Sequence, residues 1–221
     1  MAKFDDISTP APQRIADALE RIGTAARGAV RAETMARGLN PTQAALLNLI
    51  RGRGPLSVGD TARALGLRQP TVSDSADALA TKGLLERRPG PHDRRAKVLT
   101  LTPKGQAEAA SLSSPPAPIV RAATQIKDDQ QDALLRSLVV MIRTLQLSGA
   151  IAPQRMCVTC HHFRPNPAEN TRLPYFCSLV GAPFGDRHLR VDCPEHEAAS
   201  DDEAEVAWRR FEAAQNPPAD H

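Results

Sequence analysis

Apolar residues recur every three or four positions along much of the chain, which predicts a mainly helical protein. The first helix is predicted over 11–37, with one apolar stripe formed by Ile15, Leu19, Ile22, Ala26 and Val30. Helix-start signals then predict three shorter helices, which begin at Asn40-Pro41, at Ser57 and at Arg68-Gln69-Pro70. Glycines at 52, 66 and 83 follow their last apolar positions and are predicted to end them.

The pattern changes after Gly83. Residues 84–88 and the alternating, β-branched run 97–102 predict two short strands that form a hairpin with a basic tip. A further helix is expected to start at Thr102-Pro103. One long helix is predicted over roughly 119–147, with Ile126, Leu134, Leu138, Ile142 and Leu145 on one side. A capping pattern at Ser200, followed by the stripe Ala204, Trp208 and Phe211, predicts the last helix.

Two short helices joined at Gly66-Leu67 and followed by a basic hairpin are typical of a winged helix-turn-helix, a DNA-binding fold. The first turn of the second helix carries four side chains that can reach base edges: Arg68, Gln69, Thr71 and Ser73. Between Lys82 and Lys104 there are seven basic and two acidic residues, a local charge of +5 that would attract phosphates.

The stretch 39–105 resembles the MarR family of winged-helix transcriptional regulators. The resemblance is carried by Thr71-Val72-Ser73, Lys82-Gly83-Leu84-Leu85, Arg87, Asp93-Arg94-Arg95-Ala96-Lys97 and Leu101-Thr102-Pro103-Lys104-Gly105. It implies a homodimer that binds double-stranded DNA at a pseudo-palindromic operator. It also implies that 11–37 and 119–147 are dimerisation helices, and that Arg94, oriented by Asp93, enters the minor groove.

Two residue patterns depart from this family. Asp74 lies in the recognition helix where the family often has a basic or neutral polar residue, which leaves the operator sequence open. Pro115-Pro116-Ala117-Pro118 is a proline-rich join between helices, which leaves the dimer geometry open. The predicted DNA-binding residues are Arg68, Gln69, Thr71, Ser73, Arg87, Arg88, Asp93, Arg94, Arg95 and Lys97.

Composition divides the chain in two. Up to Arg155 there are 22 basic and 14 acidic residues; from Met156 onward there are 6 and 11. All four cysteines lie in the acidic part. Aromatic residues make up only 3% of the chain, so the core is predicted to consist of Leu, Ile, Val and Ala. The predicted organisation is a winged-helix and dimerisation domain at 1–150, a cysteine segment at 151–199, and a C-terminal helix and tail at 200–221.

The cysteines are Cys157, Cys160, Cys177 and Cys193, and the last is followed by proline. Cys-x-x-Cys lets two thiolates bind one metal from a tight turn, and two more complete a four-cysteine site. A segment as polar and as long as 151–199 needs a metal site or a similar cross-link to fold. Structural zinc sites usually have two closely spaced ligand pairs, whereas Cys-Pro at the last ligand occurs in some iron–sulfur runs. The pattern slightly favours an iron–sulfur cluster over zinc.

The cysteines allow three other interpretations: a c-type haem attachment through Cys157-x-x-Cys160-His161, a thioredoxin-like redox pair, and regulatory disulfides. The first lacks the export signal that haem attachment requires, and the second lacks a βαβ setting. His161, His162, His188 and His196 flank the cysteines, but four thiolates already complete a ligand set.

The sequence therefore predicts a cytoplasmic, homodimeric transcriptional regulator, acting as a repressor, whose cysteine centre senses redox state, oxygen or iron. The alternative is a repressor that responds to a small-molecule ligand, with the cysteines forming a structural zinc site or a thiol switch. No catalytic motif is present, so an enzyme is not expected. Neither a membrane span nor a secretory signal is expected.

Overall fold

A computed structural model describes residues 8–90, 97–112, 114–166 and 172–214. Its helices are α1 (Ala11–Ala36), α2 (Pro41–Arg53), α3 (Val58–Leu65), α4 (Gln69–Thr81), α5 (Pro103–Ser111), α6 (Ala117–Ala123), α7 (Asp128–Leu147) and α8 (Asp201–Ala213). Its strands are β1 (Leu56–Ser57), β2 (Leu85–Pro89), β3 (Lys97–Leu101), β4 (Phe163–Pro165), β5 (Tyr175–Cys177) and β6 (Ala182–Phe184). The predicted mainly helical fold with a small β-hairpin wing is confirmed.

The predicted start signals explain where several helices begin. The Asn40 side chain accepts a hydrogen bond from the Gln43 backbone, and the Gln43 side chain accepts one from the Asn40 backbone. Ser200 and Glu203 form the same reciprocal pair at α8. Both arrangements satisfy amide groups that a helix start leaves unpaired.

The chain divides into two units. The first comprises Met1–Ala62 and Leu67–Gln125; the second comprises Arg63–Gly66 and Ile126–His221. The boundary at Gln125 lies earlier than the predicted one near residue 150. The reason is that α7 buries Val139 in the same cluster as residues of the cysteine segment.

The first unit has an aliphatic core, as the composition predicted. Its buried apolar side chains are Leu39, Ala44, Leu46, Leu47, Ile50, Ala62, Val72, Ala76, Leu79, Leu84, Leu85, Leu99, Leu101, Ala109 and Leu112. The hairpin strands β2 and β3 pair antiparallel, with Leu85 opposite Leu101. The short strand β1, which the sequence did not predict, pairs with the outer side of β3.

The second unit has an aromatic core, which corrects the prediction of an entirely aliphatic one. Phe163, Tyr175 and Phe211 are buried together with Val139, Met156, Val158 and Leu189. Trp208 packs against this cluster and stacks on Phe211, with ring centroids 5.1 Å apart. Strands β4, β5 and β6 form an antiparallel sheet in that order, with Phe163 opposite Cys177. The sequence pattern did not predict these three strands.

The single helix predicted over 119–147 is also wrong, because α6 ends at Ala123 and α7 begins at Asp128. Asp128 and Asp129 lie in the first turn of α7, where carboxylates interact favourably with the helix dipole. Of the predicted apolar stripe, Leu134 and Leu145 are exposed, whereas Arg136 and Val139 are the buried residues of α7.

Arg136 joins three parts of the second unit. Its guanidinium donates hydrogen bonds to the Tyr175 hydroxyl and the Phe211 carbonyl oxygen, and it lies 3.2 Å from an Asp186 carboxylate oxygen. It also lies over the Phe211 ring, 3.9 Å from the centroid. The Tyr175 hydroxyl donates to the same Asp186 oxygen at 2.6 Å. A buried charge with this many partners ties α7 to β5 and α8.

In the described parts of the chain, no helix is both long and apolar enough to cross a membrane.

Candidate nucleic-acid interface and cysteine site

The helix-turn-helix is formed by α3 and α4. Gly66 adopts a left-handed conformation, with φ of 64°, and the Leu67 amide donates to the Ala62 carbonyl at 2.9 Å. A glycine suits this turn because other residues rarely adopt positive φ. The turn leaves the start of α4 at the surface, as a recognition helix requires.

The base-reading residues proposed from the sequence lie on that exposed start. Arg68 is the N-cap of α4, and its side chain makes no capping hydrogen bond. Arg68, Gln69 and Thr71 are exposed, and Ser73 is half-buried. Side chains in the first turn of such a helix can therefore reach the edges of bases in a major groove.

Ser73 differs from the other three because it contacts the wing. The Arg87 guanidinium of β2 donates to the Ser73 hydroxyl at 3.2 Å and to an Asp77 carboxylate oxygen at 2.8 Å. Arg87 thus holds the hairpin against the recognition helix. Its role in this arrangement is to position the two elements, although its side chain remains partly exposed.

The remaining predicted wing residues divide into described and undescribed ones. Arg88 is exposed and pairs with Glu86 at 2.7 Å, and Lys97 is exposed at the start of β3. Asp93, Arg94 and Arg95 lie outside the described residues, so their predicted roles at the wing tip stay predictions.

Two of the basic residues that contribute to the local charge of +5, Lys82 and Lys104, stabilise the first unit through hydrogen bonds. The Lys82 ammonium donates to the Gly38 carbonyl at 2.6 Å and to the Gln43 side chain at 3.0 Å. The Lys104 ammonium donates to the Lys82 carbonyl at 2.9 Å. These lysines cap the ends of chain segments with positive charge while staying near the surface.

The Leu-Thr-x-x-Gly pattern also has a structural reason. The Thr102 hydroxyl donates to the Gly83 carbonyl and accepts from the Gly105 amide, which starts α5. A Cβ on Gly105 would lie 1.8 Å from the Leu84 carbonyl oxygen. Only glycine lets α5 pass this close to the strand that begins the wing.

The cysteine site lies within the second unit. Cys157 and Cys160 flank a short 3₁₀ turn, Cys177 ends β5, and Cys193 follows the turn Asp186–His188. All four thiols are free, half-buried, and line one cavity of about 490 Å³. The structure thus brings together all four residues that the sequence singled out.

Arg190 and Glu195, which the sequence analysis did not select, lie at the same cavity. The Arg190 amide donates to the Cys157 sulfur at 3.2 Å, and its guanidinium donates to the Cys193 sulfur at 3.4 Å. Glu195 pairs with Arg190 at 3.3 Å and lies 3.5 Å from the Cys193 sulfur. In the sequence, only the position of Arg190, three residues before Cys193, could have indicated that its side chain contacts the cysteine.

The electrostatics of the site follow from these contacts. Burial raises the pKa of the Cys157 thiol, and the neighbouring Cys193 and Cys160 raise it further. The hydrogen bond to Cys193 raises the pKa of the Arg190 guanidinium. A thiol shielded from water stays protonated unless a cation replaces the proton.

The four flanking histidines have different surroundings. His162 and His188 line the cavity. His161 lies 3.2 Å from a Glu203 carboxylate oxygen, and His196 lies 3.1 Å from the Thr159 hydroxyl. Burial lowers the pKa of His196. His161 therefore contacts the first turn of α8 through Glu203.

The α3–α4 pair and the β2–β3 hairpin define a winged helix-turn-helix, which confirms the class of fold predicted from the sequence. Residues 37–96 match the family model of the MarR family. No curated protein matches the chain.

Several solved structures, in contrast, match the chain. The S. aureus MepR–DNA complex is 21% identical, with 60% of this chain and 98% of that one covered and a TM-score of 0.51. S. aureus MepR in its DNA-binding conformation has the same identity and coverage and a TM-score of 0.53. A MarR transcriptional regulator from Methanosarcina mazei Go1 is 16% identical, with 60% and 96% covered and a TM-score of 0.52. The chain therefore contains the fold of MarR-family regulators.

Proposed function

We propose that this protein is a sequence-specific, DNA-binding transcriptional regulator that acts as a repressor. The observation that carries this proposal is the exposed first turn of α4 beside a basic hairpin. Arg68, Gln69 and Thr71 would read bases, and the wing would bind the phosphate backbone. The match to a MepR structure solved with DNA supports this placement.

A selection from random double-stranded DNA, followed by fluorescence anisotropy with the selected operator, tests the proposal. Arg94→Ala is expected to weaken binding to all sequences, because it removes a groove or phosphate contact. Arg68→Ala and Gln69→Ala are expected to lower operator affinity about tenfold and to relax sequence preference. Arg209→Ala, which removes an exposed positive charge from α8, is the matched control and should bind normally. Unchanged operator affinity in all three test variants would overturn the assignment.

The regulator is proposed to act as a homodimer on a pseudo-palindromic site. In the first unit, α1 exposes Ile15, Ile22 and Met35. In the second unit, α7 exposes Leu134, Met141 and Leu145. Exposed apolar side chains in a row along a helix are typical of an interface, and a second copy of the chain would bury them. Sedimentation of the wild type should give a dimer and Ile22→Glu a monomer; a monomeric wild type at micromolar concentration would contradict the proposal.

The cysteine site is proposed to hold a metal centre that controls operator binding, sensing redox state, oxygen or iron. This role is supported by the four free thiols that line one cavity of the second unit. Loss of the centre is expected to disorder the surrounding segment and to change operator affinity about tenfold, a typical size of coupling between two sites. Equal affinities for the loaded and the metal-free protein would restrict the centre to a structural role.

A further inference from the structure

The cysteine site is larger than a single metal ion needs. In a zinc site four thiolates contact one ion at about 2.3 Å, so their sulfurs nearly touch. Here the four cysteines line a cavity of about 490 Å³ together with ten other residues. This volume leaves room for a group larger than a single ion.

The walls of the cavity are mostly apolar. Besides the cysteines they include Phe163, Leu179, Val180, Pro183 and Phe184. Phe163 belongs to the buried core, and Phe184 packs against it with ring centroids 6.0 Å apart. Phe163 is buried, whereas Leu179 and Val180 are 50% and 65% exposed, so the cavity is only partly closed to water. Solvent exposure is one of the properties that set the potential of an iron–sulfur cluster.

Arg190 supplies the polar contacts that such a group requires. Its backbone amide and its guanidinium donate to the sulfurs of two different cysteines, Cys157 and Cys193. Four thiolates carry a large negative charge, and Glu195 adds one more beside Cys193. The Arg190 guanidinium, which contacts both Glu195 and the Cys193 sulfur, offsets part of this charge.

We propose that the cavity holds an iron–sulfur cluster bound by Cys157, Cys160, Cys177 and Cys193, and that Arg190 is its positioning residue. This inference rests on the metal centre of the proposed function and assigns its chemical class. The backbone amide and guanidinium of Arg190 fix the orientation of two ligand sulfurs.

The first test uses the full chain purified without oxygen and, if colourless, incubated anoxically with ferric iron, sulfide and a thiol reductant, which together supply the ferric and ferrous iron of a cluster. The expected result is a broad visible absorption with iron and acid-labile sulfide in equal amounts. Cys157→Ser and Cys177→Ser should lose this absorption. Thr159→Ser, which lies between two ligands and keeps a hydroxyl for its bond to Met156, should retain it.

Stable binding of one zinc per chain, with no sulfide under either condition, would overturn the cluster. Operator binding is measured on the same samples, so a zinc protein that binds DNA would separate failure of the cluster from failure of the regulatory function. A sample that carries the cluster but binds no selected operator would contradict the regulator alone.

The second test concerns Arg190. Removal of its donor and charge in Arg190→Ala is expected to speed loss of the cluster in air about tenfold and to shift its reduction potential downward, since hydrogen bonds to sulfur raise that potential. Arg190→Lys, which keeps the positive charge, should fall between the wild type and Arg190→Ala. Both variants keep the backbone amide that donates to Cys157. A purely structural role would leave the potential unchanged in both variants, and that result would overturn the assignment of Arg190.

Discussion

The two units bury different kinds of side chain. The first unit closes an aliphatic core under helices of seven to twenty-six residues and a hairpin. The second places Phe163, Tyr175 and Phe211 against one long helix and three strands of three residues each. Of the chain's aromatic residues, only Phe4 lies outside 163–211. The two cores therefore reach burial by different routes.

The contrast shows how each unit is stabilised. Long amphipathic helices bury enough apolar area to fold without any bound group. Three-residue strands contribute few hydrogen bonds, and the second unit compensates with aromatic packing, the Arg136 contacts and, on our proposal, a cluster in its cavity. Its stability should then depend more on polar and bound groups, and that of the first unit more on the packing of its aliphatic core.

The largest expected effect comes from close packing in the first unit. Gly105→Ala would place a Cβ 1.8 Å from the Leu84 carbonyl, so α5 must move away from the hairpin. We expect a loss of about 4 kcal/mol in the free energy of unfolding, measured by urea denaturation. Gly52→Ala is the control, because an added Cβ meets nothing within 4 Å in α2. That variant should be unchanged or slightly stabilised; equal destabilisation of both would contradict the packing account.

A smaller effect is expected from the polar contacts of the second unit. Arg136→Met keeps the length of the side chain but leaves Tyr175, Asp186 and the Phe211 carbonyl without their shared donor. The expected cost is about 2 kcal/mol. The only tryptophan, Trp208, stacks on Phe211, so its fluorescence reports unfolding of this unit. Arg209→Met on the exposed face of α8 should change little, and a similar loss in both variants would remove the special role of Arg136.

The smallest effect tests whether local signals differ between the units. Asn40 and Ser200 form the same reciprocal capping arrangement at α2 and α8. Asn40→Ala and Ser200→Ala should each cost about 1 kcal/mol. Circular dichroism follows the first variant and Trp208 fluorescence the second. A loss several times larger at Ser200 would mean that the start of α8 also supports the cysteine site through His161.

The first unit was largely predictable from the sequence because its elements carry strong local signals. The caps at Asn40 and Ser57, the left-handed Gly66 and the alternating strand before Thr102 each specify structure within a few residues. The exposed residues at the start of α4 were found for the same reason. The wing tip around Arg94 remains a prediction.

The second unit was less predictable because its elements are set by long-range packing. Three-residue strands are too short for an alternating pattern to be recognised. Arginine is rarely buried, so nothing marked Arg136 as part of the core. The break before α7 had no glycine or proline, and only Asp128 and Asp129 indicated a new helix start. The cysteines were identifiable by residue type, whereas the cavity between them required the fold.

Hydrogen exchange of the whole chain, with and without the proposed metal centre, tests the central contrast most directly. The account predicts that amides of β4, β5 and β6 lose protection when the centre is removed, whereas amides of α2 and α4 keep theirs. Unchanged protection in β4–β6 would show that the second unit folds without a bound group and would contradict the account.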